Sequence, residues 1–284
     1  MDCQSKDAHF IASRRIWRCR TCKRQYSVKV GTIFEDSPLP LEKWFTAIWL
    51  VANCKNGISS YEMSRHLGVM QRTAWFMDHR IRLAMKTGTF RKMEGTVEVD
   101  ETFIGGLEKN KHSNKKLRQG RGTVGKAIVQ GVIERGQPGQ KSRVAAKVVK
   151  GTDAKTLQGN VQKYVVTGSY VYTDAHAGYS CLSAKFVHDF IDHAVTYAKG
   201  LVHTNGMENF WALLKRGLKG TYVAVMPFHL DRYVDEQAFR FNEREGSDAD
   251  RFVKVLSQVA GRRLTWDELT ASDDEFYVLA NMPA

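Results

Sequence analysis

TVEVDETFIGG, Thr96–Gly106, alternates apolar and polar side chains as a half-buried strand does. Val97 and Val99 point to one face, Glu98 and Asp100 to the other. Upstream of it the apolar residues recur at helical spacing; downstream, strands take over. GKAIVQGVIER and RVAAKVVKG read as two more strands, and TDAKTLQGNVQKYV as a helix capped by Thr152 or Asp153. SYVYTDAHAGYS is an aromatic strand ending in Thr173-Asp174, followed by a short helix, and IDHAVTYAKG is a further strand candidate. HTNGMENFWALLKRG, His203–Gly217, closes the series as a helix.

A strand meander followed by alternating helices and strands predicts an α/β domain, a mixed sheet with helices on both faces. This element order is that of the RNase H-like fold. It sets acidic residues at two strand ends, Asp100 and Asp174, and a third on the closing helix. At 100° per residue, Asn205, Ala212, Lys215 and Lys219 share the sector of Glu208, while Phe210, Leu213, Leu214 and Gly217 lie opposite. Taken singly, a strand-end aspartate is most often a turn or cap residue, and Glu208 is a surface carboxylate. Asp153, an expected N-cap, and Asp192 compete for the same role. The set carries the chemistry. Breaking a phosphodiester needs an activated nucleophile and a stabilised leaving oxygen, and two Mg²⁺ (or Mn²⁺) ions about 3.5–4 Å apart supply both. Hard cations take oxygen ligands, so Asp100, Asp174 and Glu208 are the expected metal ligands, with Asp100 bridging. Lys215, two turns beyond Glu208, is placed to touch a DNA phosphate or base.

Two upstream modules suit the same substrate. Cys19-x-x-Cys22 with Cys3 resembles half of a zinc ribbon. A second CxxC would need a cysteine ahead of Met1, so the alternatives are a late start of the chain, a fourth ligand from His9 or a degenerate site. Cys54 and Cys181 read as core thiols. SPLPLEKWFTAIWLVANC predicts a helix with Leu41, Trp44, Phe45, Ile48 and Trp49 as its apolar residues. GISSYEMSRHLGV follows, with a Ser59/Glu62 capping box and a turn at Leu67-Gly68-Val69. MQRTAWFMDHRIRLAM is the next helix, with Ala74, Met77, Ile81 and Met85 inward. Helix, turn and helix resemble a helix-turn-helix, whose second helix offers Gln71, Arg72 and Thr73 to base edges. EKNKHSNKKLRQGRGTVGK adds Lys109, Lys111, Lys115, Lys116, Arg118, Arg121 and Lys126, a basic loop suited to phosphate. The 284 residues carry a formal net charge of +13, which points to a polyanionic partner. With 43% hydrophobic residues the chain builds a core and is not a disordered one. No apolar run reaches membrane-spanning length, and the basic first 30 residues have no apolar stretch of a secretory signal, so a cytoplasmic, reducing setting is expected.

VEVDETFIGGLEKNKH, VYTDAHAGY, HTNGMENFWALLKRGLKGTY and HLDRYVDEQAFRFNER resemble bacterial insertion-sequence transposases of the DDE class. The branch they resemble has an N-terminal zinc ribbon, a helix-turn-helix and an RNase H-like catalytic domain. RCRTCKRQYSVKVGTIFEDSPLPLEKWF and NGISSYEMSRHLGVMQRTAWFMDHRIRLAM look like it too, so the resemblance spans roughly residues 1–243. It implies a ribbon-like segment over 1–36, a helix-turn-helix domain over 37–90, a catalytic domain over 94–245 and a helical extension over 246–284. It implies the trio Asp100, Asp174 and Glu208 with Lys215 after it, Asn205 as a further residue on the metal side of the helix, and His203 in support. Trp211, at the edge of both sectors, is expected to pack. The implied partners are double-stranded DNA, as element ends and as target, and a second copy of the chain in a homodimer or higher oligomer. The implied reaction is hydrolysis at element ends, then attack of the freed 3′-hydroxyl on target DNA. Two other readings stay open: an idle or domesticated DNA-binding remnant, and a nuclease or resolvase that cuts without joining.

Overall fold

The computed structural model describes residues 3, 5–86, 91–106, 123, 125–191 and 202–270. A small antiparallel sheet comes first, β1 (Ala8–Ile11), β2 (Ile16–Cys19) and β3 (Gln25–Tyr26), with Ala8 opposite Cys19 and Trp17 opposite Tyr26. Three helices follow: α1 (Leu41–Asn53), α2 (Ser60–Leu67) and α3 (Gln71–Met85). Of the expected capping box, Ser59 accepts a bond from the Glu62 amide at 3.2 Å. The turn is made by Gly68, whose φ of +58° ends α2 in the left-handed region that glycine enters without strain. Ala74, Met77, Ile81 and Met85 are buried, as the helical period requires.

The larger sheet has five strands: β4 (Thr96–Ile104), β5 (Ala127–Glu134), β6 (Arg143–Val149), β7 (Tyr170–Asp174) and β8 (Val187–Ile191), in the spatial order β6-β5-β4-β7-β8. β4, β5 and β6 form an antiparallel meander, and β7 and β8 add on in parallel. The crossover between β6 and β7 is α4 (Ala154–Tyr164), whose N-cap is Asp153, accepting from Thr156. Val97 and Val99 pack with Leu157 and Val161 of α4 on one face. On the other face Val129 and Ile133 meet Met207, Phe210 and Leu214 of α5 (Asn205–Gly217) and Tyr233 and Val234 of α6 (Leu230–Asn242). α5 crosses the sheet closely at Gly131: a Cβ there would lie 2.2 Å from Met207 Cε and 2.7 Å from the Trp211 ring.

Several expectations shift. The last strand lies before most of IDHAVTYAKG, in Val187–Ile191, where it pairs with β7; Asp192 and the rest of that run lie outside the described residues. The short helix after β7 is two 3₁₀ turns, Ala177–Tyr179 and Leu182–Ala184. Cys181 sits between those turns and is exposed, not a core thiol. Within the helical extension expected over 246–284, the first helix stops at Leu256. This helix, α7 (Asp248–Leu256), carries a full capping box of Ser247 and Asp250, and α8 (Trp266–Thr270) follows. Between them the chain turns at Gly261, φ +72°, and pairs with Gly31–Ile33. α7 docks on α1. Phe45 and Trp49 of α1, which face away from its buried side, meet Phe252 of α7 with ring centroids at 6.3 and 5.8 Å. Among the described residues no helix is long and apolar enough to cross a membrane.

The helical unit and the large sheet share α6. Phe239 belongs to the helical core, whereas Leu230, Tyr233 and Val234 belong to the sheet core. A buried ion network fastens the joint. Arg82 of α3 donates to Glu236 of α6 at 2.6 Å, and Arg240 and the Tyr222 hydroxyl also reach that carboxylate. Burial alone would push Glu236 up, but Arg240 and Arg82 hold it down at about 2. Asp78 lies nearby on α3 with Oδ1 buried and without a hydrogen-bond partner; burial pushes its carboxyl up to about 7 against the pull of Arg82.

Two outcomes follow. Folded Asp78 holds a proton between its unfolded value near pH 4 and pH 7, so its contribution to stability falls as pH rises through that window. Asp78→Asn removes this fall: relative to wild type the variant gains on the order of 4 kcal/mol between pH 4 and pH 8, read by urea unfolding. Gly131→Ala costs about 1–3 kcal/mol in the same assay, because Met207 and Trp211 must move off a packed sheet.

Candidate active site

The parallel ladder sets the site. Glu98 of β4 stands opposite Tyr172 of β7. Two residues further along each strand, Asp100 and Asp174 come level on the same edge of the fold. Asp174 ends β7, and its Oδ1 accepts the His176 amide at 3.2 Å. Asp100 accepts the Glu101 amide at 2.8 Å and the Trp211 indole N–H at 2.9 Å. Glu101, the next residue on β4, joins them: one oxygen of each of Asp100, Glu101 and Asp174 lies within 4.8 Å of the other two. Glu101 Oε1 is buried there with no hydrogen-bond partner.

Three carboxylates so close repel. Burial, then the charge of Asp174, pushes Asp100 up to about 6; the Trp211 and Glu101 N–H groups pull the other way, and Glu208 adds to the rise. Burial, Asp174 and Asp100 push Glu101 up to about 8. An orphaned buried oxygen among clustered carboxylates is the donor set of a hard divalent cation, and this cluster can hold one.

α5 presents its faces as its period requires. Asn205, Glu208, Ala212 and Lys215 are exposed along one side, and Met207, Phe210, Leu214 and Gly217 are buried. Glu208 stays outside the 4.8 Å group, yet its charge is felt at Asp100. Trp211 packs, as expected, and also holds an oxygen of Asp100. The N-terminus of α5 is pinned by Glu98, which is 1% exposed and accepts the Met207 amide at 3.1 Å. Gly206 permits this approach, since a Cβ would come 2.8 Å from Glu98 Oε2. Arg135 completes the anchor, donating to Glu98 at 2.7 Å and to the His203 carbonyl at 2.8 Å. The His203 ring lies beside Arg135 and 3.4 Å from Glu98, so the structure places it in this anchor.

The sequence reading missed Glu101, Arg135 and Gly131. Glu101 had a signal, a second acid directly after Asp100; both lie midway along β4, not at the strand end expected for Asp100, because β4 runs on to Ile104 in its pairing with β5. Arg135 and Gly131 had none, because their value comes from partners far along the chain.

The other expected residues are placed as follows. Gln71 donates to Ser60 Oγ at 2.8 Å, and the Arg72 guanidinium lies 4.2 Å from the Trp266 ring centroid. Thr73 lines a cavity beside them, together with Trp266 and Met70. Lys109, Lys111, Lys115, Lys116, Arg118 and Arg121 lie outside the described residues. Cys3 Sγ is 3.6 Å from Cys19 Sγ and 3.3 Å from Cys22 Sγ, so the three thiols converge and can hold a metal ion. Hydrogen bonding from the Cys22 backbone leads in drawing Cys19 down to about 6, toward the thiolate that binds metal. His9 lies in β1 opposite Arg18 and does not join the group.

Residues 92–242, a little over half of the chain, match the family described as ISXO2-like transposase domain. A similar protein is the uncharacterised protein in transposable element ISH50 of Halobacterium salinarum, 26% identical over 230 residues, covering 76% of this chain and 76% of that one. The matched segment runs from just before β4 to the end of α6, and so takes in the acidic cluster, α5 and the Glu98 anchor; the chain belongs to the ISXO2-like family of insertion-sequence DDE transposases.

Proposed function

We propose that the protein cuts DNA at the ends of its insertion sequence and joins the freed 3′-hydroxyl to target DNA, with an RNase H-like domain as the catalytic unit. The observation that carries this reading is the meeting of Asp100 and Glu101, midway along β4, with Asp174 at the end of β7, with an unpartnered Glu101 oxygen among them and Glu208 beside. The strand order β6-β5-β4-β7-β8, an antiparallel meander extended by two parallel strands, supports the fold assignment.

In this reading two divalent ions, when bound, polarise the scissile phosphate and assist both the entering and leaving oxygens. The chain's own residues do the rest. Asp100, Asp174 and Glu208 supply ligand oxygens, with Glu101 beside them. Trp211 fixes the orientation of Asp100, and Glu98 and Arg135 fix α5, so Glu208 is held in place before substrate arrives. Lys215, exposed two turns along the same face, meets phosphate near the scissile bond, and Asn205 lines the first turn. The division into residues 1–36, 37–90, 94–245 and 246–284 assigns end recognition to the first two segments. Gln71, Arg72 and Thr73 read bases there, and a zinc ion on Cys3, Cys19 and Cys22 stiffens the ribbon. Two copies bridge the two element ends.

Asp100→Asn tests the assignment. With DNA carrying the element ends and Mg²⁺, the variant loses both cleavage and strand joining by at least about a hundredfold, since metal-held charge is worth several kcal/mol and each 1.4 kcal/mol is tenfold. Asp153→Asn, which changes a helix cap on the opposite face, cuts and joins as wild type does. An Asp100→Asn protein that joins DNA at the wild-type rate overturns the reading. Cut ends without joined products assign it to a nuclease instead.

A further inference from the structure

A second concave site lies around α5 from the acidic cluster. It is a cavity of about 800 Å³ walled by the end of α1, the β5–β6 hairpin, α5, α6 and Arg251 of α7. Its charge is one-sided: Lys55, Arg135, Arg240, Arg244 and Arg251 line it, against the single carboxylate of Glu98. Some of this charge is answered. Arg135 pairs with Glu98, Arg251 with Asp248, and Arg240 shares Glu236 with Arg82. The excess is clear at two positions. Arg244 bonds the Ser142 carbonyl and hydroxyl and the Phe241 carbonyl, and the carboxylate beside it, exposed Glu245, is 3.8 Å away. Lys55 is exposed, with no partner among the described residues. Two cations with one carboxylate between them, in the Arg82–Glu236–Arg240 group, leave one more positive charge.

Carbonyl and hydroxyl partners orient Arg244 without cancelling it. A guanidinium oriented by carbonyls and a hydroxyl, its carboxylate partner Glu245 an exposed one at 3.8 Å, lining the same cavity as the Lys55 ammonium, suits a phosphate. Location selects among phosphate carriers. One wall belongs to the helical unit that bears α2 and α3, the other to the sheet that bears the acidic cluster. Asn209, on the cavity wall, directly follows Glu208 on α5.

We propose that this cavity binds the phosphodiester backbone of DNA where the strand passes from the helical unit to the acidic cluster. The proposal rests on the transposase reading for its ligand and adds a second contact region to it. The cavity is a clamp: it fixes the register between the bases read at α3 and the phosphate presented to Asp100. Contact is to backbone, so it is indifferent to base sequence.

The test is binding without divalent metal, by fluorescence anisotropy of a random-sequence duplex across a salt series. Lys55→Gln lowers the slope of log K against log salt by about 0.9, the value of one phosphate contact, and weakens binding about five- to tenfold near 0.1 M salt. Asn209→Asp, a negative charge on the wall, weakens it likewise. Lys163→Gln on α4, across the sheet, leaves slope and affinity unchanged. Thermal unfolding of all three matches wild type, so no loss is due to misfolding. Wild-type slopes in both Lys55→Gln and Asn209→Asp overturn the proposal, as does an equal loss in Lys163→Gln, which would make the effect one of overall charge. The two readings fail separately. A protein that joins DNA yet binds independently of Lys55 loses only the cavity; one that binds through Lys55 yet never joins DNA loses only the catalytic assignment.

Discussion

The close seating of α5 on the large sheet is the constraint on which the site depends. A helix this near a strand needs a missing side chain beneath it, and Gly131 provides the gap under Met207 and Trp211. It also needs its free N-terminal amides answered in a dry place. Glu98 does so from the sheet itself, accepting the Met207 amide while Arg135 neutralises it. Removing either partner of a buried pair of this kind leaves an uncompensated charge, typically at a cost of about 3–5 kcal/mol. With α5 fixed at that height, Trp211 reaches Asp100, and Glu208 stands close enough for its charge to act there. The geometry of the acidic cluster and the packing of α5 are therefore one problem in this fold, solved by the same few residues.

A second constraint joins the two halves. Arg82, Glu236 and Arg240 sit in the seam between α3 and α6, and all three are nearly out of solvent. Apolar packing alone would let the helices slide. Directional, charge-assisted bonds to one carboxylate set both their rotation and their register. The helical unit of α1–α3 is for this reason held to the sheet through α6 in one rotation and register.

Much of this was legible in the residues because periodicity reports the core. The alternation of Val97, Glu98, Val99 and Asp100 gave the strand and its faces, and the 100° wheel of α5 gave its exposed and buried sides. Both Asp100 and Asp174 were read as strand-end acids; Asp174 does end β7, whereas Asp100 lies midway along β4, and the parallel register carries the two side by side. What stayed hidden depends on contacts between residues far apart in the chain. Arg135 meets Glu98 across 37 positions and His203 across 68. Phe45 and Trp49 looked like ordinary core residues of α1 and instead meet Phe252, about 200 positions later. Local pattern also misjudged ends: the helix after Asp248 stops at Leu256 because the chain must turn at Gly261 to pair with Gly31.

That pairing has a consequence for how the molecule is made. α3 is walled by Arg80 bonding to the carbonyls of Ile33 and Leu264, by Trp266 against Trp75 and Phe76, and by the Val259–Gly261 segment beside Gly31–Ile33. Those walls come from opposite ends of translation. Synthesis must pass Trp266 before α3 gains its last supports, so a chain stopped earlier leaves Arg80 without its Leu264 carbonyl and Trp75 and Phe76 without their indole partner.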